Sequence, residues 1–149
     1  QLNEAQLLPR PARPNGPPIL IGGNGERRTL PLVAQYADEW NGVFIPAKRF
    51  GELNQKLDEL LATHNRAADN VKRSLMTGVF FGKDDATLQT KTEGRSIKQM
   101  RERGMVVGTP NAVVDQLGEL SEVGVQRVML NWFDLDDIDG LEDLAKAVL

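Results

Sequence analysis

Cysteine is absent from the 149 residues, histidine and tyrosine occur once each, and aromatic residues amount to only 5%. The missing cysteine excludes disulfides, thiolate zinc sites and a cysteine nucleophile, and it suits a reducing compartment. With one histidine, a metal would find little beyond carboxylates to hold it. No apolar run approaches the roughly 20 residues that span a bilayer. The first six residues, Gln-Leu-Asn-Glu-Ala-Gln, lack a charged-then-apolar signal pattern. Together these absences set a cytoplasmic expectation. A basic stripe with interleaved aromatics is missing as well. The 18 Lys and Arg are scattered among 21 Asp and Glu, for a net charge of −3. That balance argues against nucleic acid or an anionic membrane as the main partner. There is no Gly-x-Ser-x-Gly elbow, and no credible Ser/His/Asp set.

What is present is ordinary for a folded domain: 40% apolar and 26% charged residues, in a length that buries a real core. Residues 1–18 hold Pro9, Pro11, Pro14, Pro17 and Pro18, with an Asn15-Gly16 turn, and read as an extended arm. Ile19 to Gly22 is a short apolar run between Pro and Gly, the pattern of a strand buried on both faces. Leu30, Val33, Ala34 and Ala37 then recur at helical spacing. Pro31 is tolerable only in a first turn, which places the regular helix start near Arg27 or later. A second strand is expected over Asp38 to Phe44, and a long amphipathic helix from Pro46 to near Asn65. A third strand is expected over Ser74 to Gly82.

Residues 84–103 are highly charged and predict a solvated helix interrupted near Gly94. Thr109-Pro110 supplies an N-cap and N1 pair for a further helix, with Gly124 at its stop. Val125 to Phe133 reads as the fourth strand, and about Asp139 to Leu149 as a final helix. Four strands alternating with helices predict an α/β fold with a parallel sheet and right-handed crossovers. The chain is then either half of a (β/α)8 barrel or a small doubly wound sheet. It begins at Gln1 rather than methionine, and its first strand comes only about twenty residues later. The expectation is a half-barrel domain over 19–149, the back part of a longer chain.

The strongest candidate site is the turn Gly22, Gly23, Asn24, Gly25, Glu26, Arg27, with Arg28 beside it. A strand running through glycines into a helix presents bare N–H groups at the positive end of the helix dipole, where a phosphate binds. The plain alternative is that these glycines only permit a tight strand-to-helix turn. The spacing does not meet the dinucleotide pattern G-x-G-x-x-G, because Arg28 stands at its last position. Trp40 with Asn41, and Asn131 with Trp132, close the second and fourth strands at one rim, although a strand-end Trp is more often core than a ring-stacking wall. His64 falls near a helix C-terminus, a place for capping rather than catalysis. Asp134, Asp136, Asp137 and Asp139 form an acidic run that lacks the glycine and terminal Glu of a calcium loop; it reads as a solvated loop and N-cap. Asp84 and Asp85 read as helix-start acids.

The stretch Pro17-Pro18-Ile19-Leu20-Ile21-Gly22-Gly23-Asn24-Gly25-Glu26, followed by Ala34-Gln35-Tyr36-Ala37-Asp38-Glu39-Trp40-Asn41, resembles luciferase-like monooxygenases. The branch that uses the deazaflavin F420 is the most similar. Gly108-Thr109-Pro110, and Gly124-Val125 ahead of Val128-Met129-Leu130, resemble the end of the same family. Pro31 departs from its pattern. The resemblance implies the C-terminal half of a (β/α)8 barrel, strands five to eight, from an oxidoreductase using F420 or alternatively FMN. Gly22, Gly23, Asn24, Gly25, Glu26 and Arg27 would then lie by the cofactor's phosphate-bearing tail. The partners implied are cofactor and a small organic substrate, and this half alone is expected to be inactive. A non-catalytic flavin- or phosphate-binding module and a structural half-barrel that dimerises through open sheet edges stay open beside it. So does a flavodoxin-like sheet, which would differ in strand order.

Overall fold

The computed structural model describes residues 3, 5–6, 8–14 and 16–149. Gln1 and Asn15 of the expected Asn15-Gly16 turn lie outside the described residues. Up to Ile19 the described residues belong to no helix or strand and are largely exposed. Asp38 ties the end of this segment down: its carboxylate accepts from the Ile19 N–H at 2.8 Å and pairs with Arg13 at 3.4 Å.

Beyond it, strands and helices alternate as the periodicities predict: β1 (Leu20–Gly22), α1 (Thr29–Tyr36), β2 (Glu39–Val43), α2 (Ala47–Thr63) and β3 (Lys72–Phe81). There follow α3 (Asp85–Thr92), α4 (Ile97–Glu102), β4 (Val106–Gly108), α5 (Pro110–Glu122), β5 (Arg127–Trp132) and α6 (Ile138–Val148). Local chemistry sets several of these boundaries. Pro31 sits third in α1, inside the first turn, where its missing N–H costs nothing. Pro110 opens α5 in the same way, though the Thr109 side chain makes no capping bond. Asp84 and Asp137 cap α3 and α6 by accepting from the Thr87 and Gly140 N–H groups.

All strand pairs are parallel. β1 pairs with β2 (Gly22 opposite Asn41), β2 with β3 (Val43 opposite Met76), and β3 with β5 (Ser74 opposite Arg127). The four strands therefore stand in sequence order, as in a (β/α) barrel. A doubly wound sheet reverses its order at the middle, so the flavodoxin-like alternative is excluded. Val79 pairs with Trp132 of β5 and also with Val106 of β4. The short β4 must then share the edge of β3 that β2 occupies lower down. This fifth strand was not expected, because three residues ahead of a Thr-Pro helix start carry no readable period.

One face of the sheet is covered by helices. Leu30, Val33 and Ala34 of α1, Phe50, Leu53, Leu57 and Leu61 of α2, and Val113 of α5 are fully buried there with Trp40 and Leu75. Leu20 lies on the other face, in register with Glu39, and is 49% exposed. This corrects the expectation that β1 is buried on both faces. β1 is an edge strand, and helices cover only one side of it. On the same open face Glu39 of β2 and Arg127 of β5 form an ion pair across β3.

Two arginines do structural work that the sequence did not announce. Arg73, 5% exposed, donates from Nε to Asn54 Oδ1 at 2.8 Å, from Nη1 to the Ala68 and Val71 carbonyls, and from Nη2 to Asp58. Burial pushes its pKa down, and the Asp58 carboxylate opposes that. Arg66 donates to the Ala34 and Ala37 carbonyls at 2.9 and 2.7 Å, closing the C-terminus of α1.

The charged stretch 84–103 breaks into α3 and α4 at Glu93 and Gly94, both at positive φ (52° and 74°). It returns to the sheet through Gly104, at φ +80° against the Ile45 backbone. A Cβ there would stand 2.5 Å from Ile45 N. Gly104→Ala is therefore expected to destabilise the fold by roughly 3 kcal/mol in urea unfolding, because neither backbone can yield cheaply.

Candidate functional site

β1 ends at Gly22, and the chain passes through residues 23–28 into α1 at the C-terminal edge of the sheet. Active sites of parallel barrels form at this edge. Gly23, at φ +122°, donates its N–H to the Asn41 carbonyl at 2.9 Å, one bond beyond the strand proper. Asn24 continues the ladder with its side chain. Its Nδ2 donates to the Val43 carbonyl at 2.7 Å, and its Oδ1 accepts from the Val43 N–H at 2.9 Å. The amide thus stands in for a peptide group and clamps the turn to β2.

Glu26 is held from behind: Arg49 and Lys56 of α2 pair with it at 2.5 and 3.1 Å. The Arg49 hydrogen bond, followed by that of Lys56, keeps its carboxyl below the ordinary glutamate value. Leu30 N–H donates back to Gly25 O at 3.0 Å. Among the described residues, the N–H groups of 24–29 find no acceptor. Gly25, Arg27 and Arg28 are exposed, and neither arginine has an ion-pair partner among the described residues.

Trp40, Asn41, Asn131 and Trp132 do not converge on one rim, and Trp40 takes the core role that is the more frequent one for a strand-end Trp. Trp40 is fully buried on the helix side, stacked on Phe50 with ring centroids 4.7 Å apart, and its Nε1 donates to the Gly23 carbonyl at 2.9 Å. Asn41 is buried on the opposite face and donates to Ser74 Oγ at 3.0 Å. β2 runs on to Val43, so both residues lie within the strand rather than at its mouth. Alternation along β5 likewise puts Asn131 and Trp132 on opposite faces.

A cavity of about 640 Å³ opens instead two strands away, at the C-terminal ends of β3 and β5. Val79, Phe80 and Phe81 form one wall, Trp132, Phe133 and Asp134 another, and Thr90, Lys91, Glu93, Arg95 and Met105 close it. Lys91 Nζ lies 4.7 Å over the Trp132 ring and pairs with Asp137. Arg95 Cζ lies 4.9 Å over the Phe80 ring, and Phe80 meets Phe133 at 5.8 Å. The Trp132 indole N–H is buried without an acceptor among the described residues. In the sequence, Lys91 and Arg95 belong to a charged stretch with the pattern of a solvated face. The signal was that two cations flank the Glu93-Gly94 break, which turns the chain back over the sheet.

His64, Asp84 and Asp137 hold capping positions at helix ends. His64 occupies the C-cap position of α2 and is exposed. Asp137 caps α6, and no group of three or more metal-binding side chains occurs among the described residues. The Lys91 hydrogen bond, then the Gly140 N–H, hold the Asp137 carboxyl below the ordinary range; the backbone bond from Thr87 does the same for Asp84.

Two outcomes follow from these bonds. Asn24→Ala leaves Val43 N–H and C=O unpaired and is expected to cost about 1–3 kcal/mol in urea unfolding. Carboxyls whose pKa is depressed on folding stabilise fully above their unfolded value, near 3.9 for aspartate, and lose that contribution as pH falls through the folded value. The urea midpoint should therefore stay level from about pH 8 to 5 and fall below about pH 4. Asp137→Asn should make that fall shallower.

No protein-family model matches this sequence, and no curated protein matches it. Solved structures match by fold. An F420-dependent secondary alcohol dehydrogenase, solved with an F420-acetone adduct, superposes with a TM-score of 0.75 at 15% identity, over 99% of this chain and 53% of that one. The coenzyme F420-dependent tetrahydromethanopterin reductase of Methanopyrus kandleri gives 0.61 at 17%, over 88% and 48%. The oxygenating constituent of 3,6-diketocamphane monooxygenase from Pseudomonas putida, a type II Baeyer-Villiger enzyme in complex with FMN, gives 0.64 at 12%, over 90% and 50%. The chain spans about half the length of these structures. At such identities the likeness is one of fold: a parallel α/β barrel segment of the kind found in F420- and FMN-dependent enzymes.

Proposed function

We propose that the chain is the C-terminal half of an F420- or FMN-dependent oxidoreductase of the luciferase-like type, and that the turn after β1 receives the cofactor's phosphate-bearing tail. The observation that carries this is the run of N–H groups from Asn24 to Thr29 without acceptors, at the start of α1. Such a run suits an anion, and the helix dipole adds to it. The side chains fit the same use. Asn24 and Glu26 are turned to β2 and α2, which leaves the N–H groups of Asn24 to Arg28 without acceptors among the described residues. Arg27 and Arg28 stand exposed beside it and can add charge-assisted bonds.

When bound, the deazaflavin or flavin ring supplies the hydride chemistry; this chain's part is to hold and orient the tail. Hydride exchange with a small organic substrate would need the complementary half of the barrel, and the chain alone is expected to turn over nothing. F420 and FMN, titrated separately and followed by amide NMR, should shift the signals of 24–29 first. Arg27→Gln together with Arg28→Gln, two exposed side chains without an ion-pair partner among the described residues, should weaken the binding about tenfold while the unfolding temperature changes little. If neither cofactor moves those amides at millimolar concentration, the reading is overturned.

A second reading concerns association. The outer edges of β1 and β5 pair with no strand among the described residues, and Leu20 on β1 is 49% exposed. Unpaired edges template further strands, so we infer that the chain associates through them. Sedimentation velocity should show mass rising with concentration; a monomer throughout would count decisively against it.

A further inference from the structure

The cavity at the ends of β3 and β5 is not used by the cofactor-tail reading. Its volume of about 640 Å³ lies within the range of small-molecule sites, which pair apolar walls with a few placed polar groups. Here the walls are Val79, Phe80, Phe81, Met105, Trp132 and Phe133.

Its two cations differ in what they have left to offer. Lys91 is committed: it pairs with Asp137, covers the Trp132 ring, and is only 19% exposed. Arg95 is positioned but not spent. Its Nε donates to the Thr92 carbonyl at 2.9 Å, and its guanidinium lies over Phe80. Nη2 reaches Glu93 only at 3.4 Å, at a carboxylate that is 78% exposed. Nη1 has no acceptor among the described residues. A guanidinium fixed by a backbone bond and a ring presents a planar fork, the geometry that receives a carboxylate. Asp134 also lines the cavity and disfavours a second negative group on the ligand.

We propose that this cavity binds a small molecule with an apolar body and a single carboxylate, the body against Phe80, Phe133 and Trp132 and the carboxylate on Arg95. That this molecule is the oxidoreductase's substrate rests on the function proposed above; that the cavity takes it does not.

Phenylacetate is a direct probe, because Trp132 forms part of the wall while Trp40 is sealed in the core. Phenylacetate should quench tryptophan fluorescence saturably, and its neutral amide, phenylacetamide, should bind at least tenfold more weakly. Arg95→Gln, a change at a half-exposed side chain, should weaken phenylacetate at least tenfold and leave phenylacetamide within twofold. Equal binding of acid and amide, equal loss of both in the variant, or no saturable quenching overturns the proposal. Titrating F420 and FMN into the same protein, read by cofactor fluorescence, separates the two ideas. Phenylacetate binding without cofactor binding upholds the site and sinks the oxidoreductase reading, while cofactor binding without phenylacetate binding does the reverse.

Discussion

Strand β3 is the constraint on which the rest of the molecule depends. Its ten residues outrun every neighbour, and β2, β4 and β5 all hydrogen-bond to it. Parallel strands need a crossover between them: α2 and α5 pack on the face of Trp40 and Leu75, whereas α3 and α4 pack on the other face, against Phe80 and Val107. The length of β3 has a second effect. β2 is paired only as far as Met76, and the strand continues to Phe81. That overhang is where β4 docks and where α3 and α4 fold back, and the cavity of Phe80, Trp132 and Arg95 lies beneath that return.

The two regions of interest at the C-terminal edge are built on opposite principles. At the glycine turn the side chains are spent on structure. Asn24 replaces a peptide group in the β1–β2 ladder, Glu26 is neutralised by Arg49 and Lys56, and Trp40 reaches round to the Gly23 carbonyl. What remains for a ligand is backbone, with the exposed Arg27 and Arg28 beside it. At the cavity the backbone is spent in strands, and the side chains remain: aromatic faces, one committed lysine and one arginine with donors to spare. A backbone cradle suits a phosphate, whose oxygens accept from any N–H. A fork over an aromatic wall suits a carboxylate on an apolar body.

Much of the architecture was legible because it depends on local patterns. The helical stripe of Leu30, Val33 and Ala34, the heptad-like run from Phe50 to Leu61, the Thr-Pro helix start and the Gly124 stop all appear where their spacing put them. The break near Gly94 was legible as well, because a positive φ there requires glycine or tolerates little else. Less legible was anything that depends on which face of a strand meets a helix. Trp40 and Asn41 are adjacent in sequence, and a strand-end reading gives them one role. In the sheet they point to opposite sides, one into the helix-covered core and one onto the open face.

By itself, the amino-acid sequence determined the alternation of strands and helices, the parallel sheet and the place of the glycine turn. Periodicity, proline and glycine act over a few residues, and their consequences do not wait for distant partners. Only the tertiary structure decided that the strands stand in barrel order, and that β1 is an exposed edge rather than a buried strand. Only it brought Arg95 onto Phe80 and Lys91 onto Trp132, across 15 and 41 residues of chain. Those pairings arise from the overhang of β3 and the return of α3 over it. Contacts made by side chains so far apart in sequence are set by how the sheet is assembled, not by the residues on either side of them.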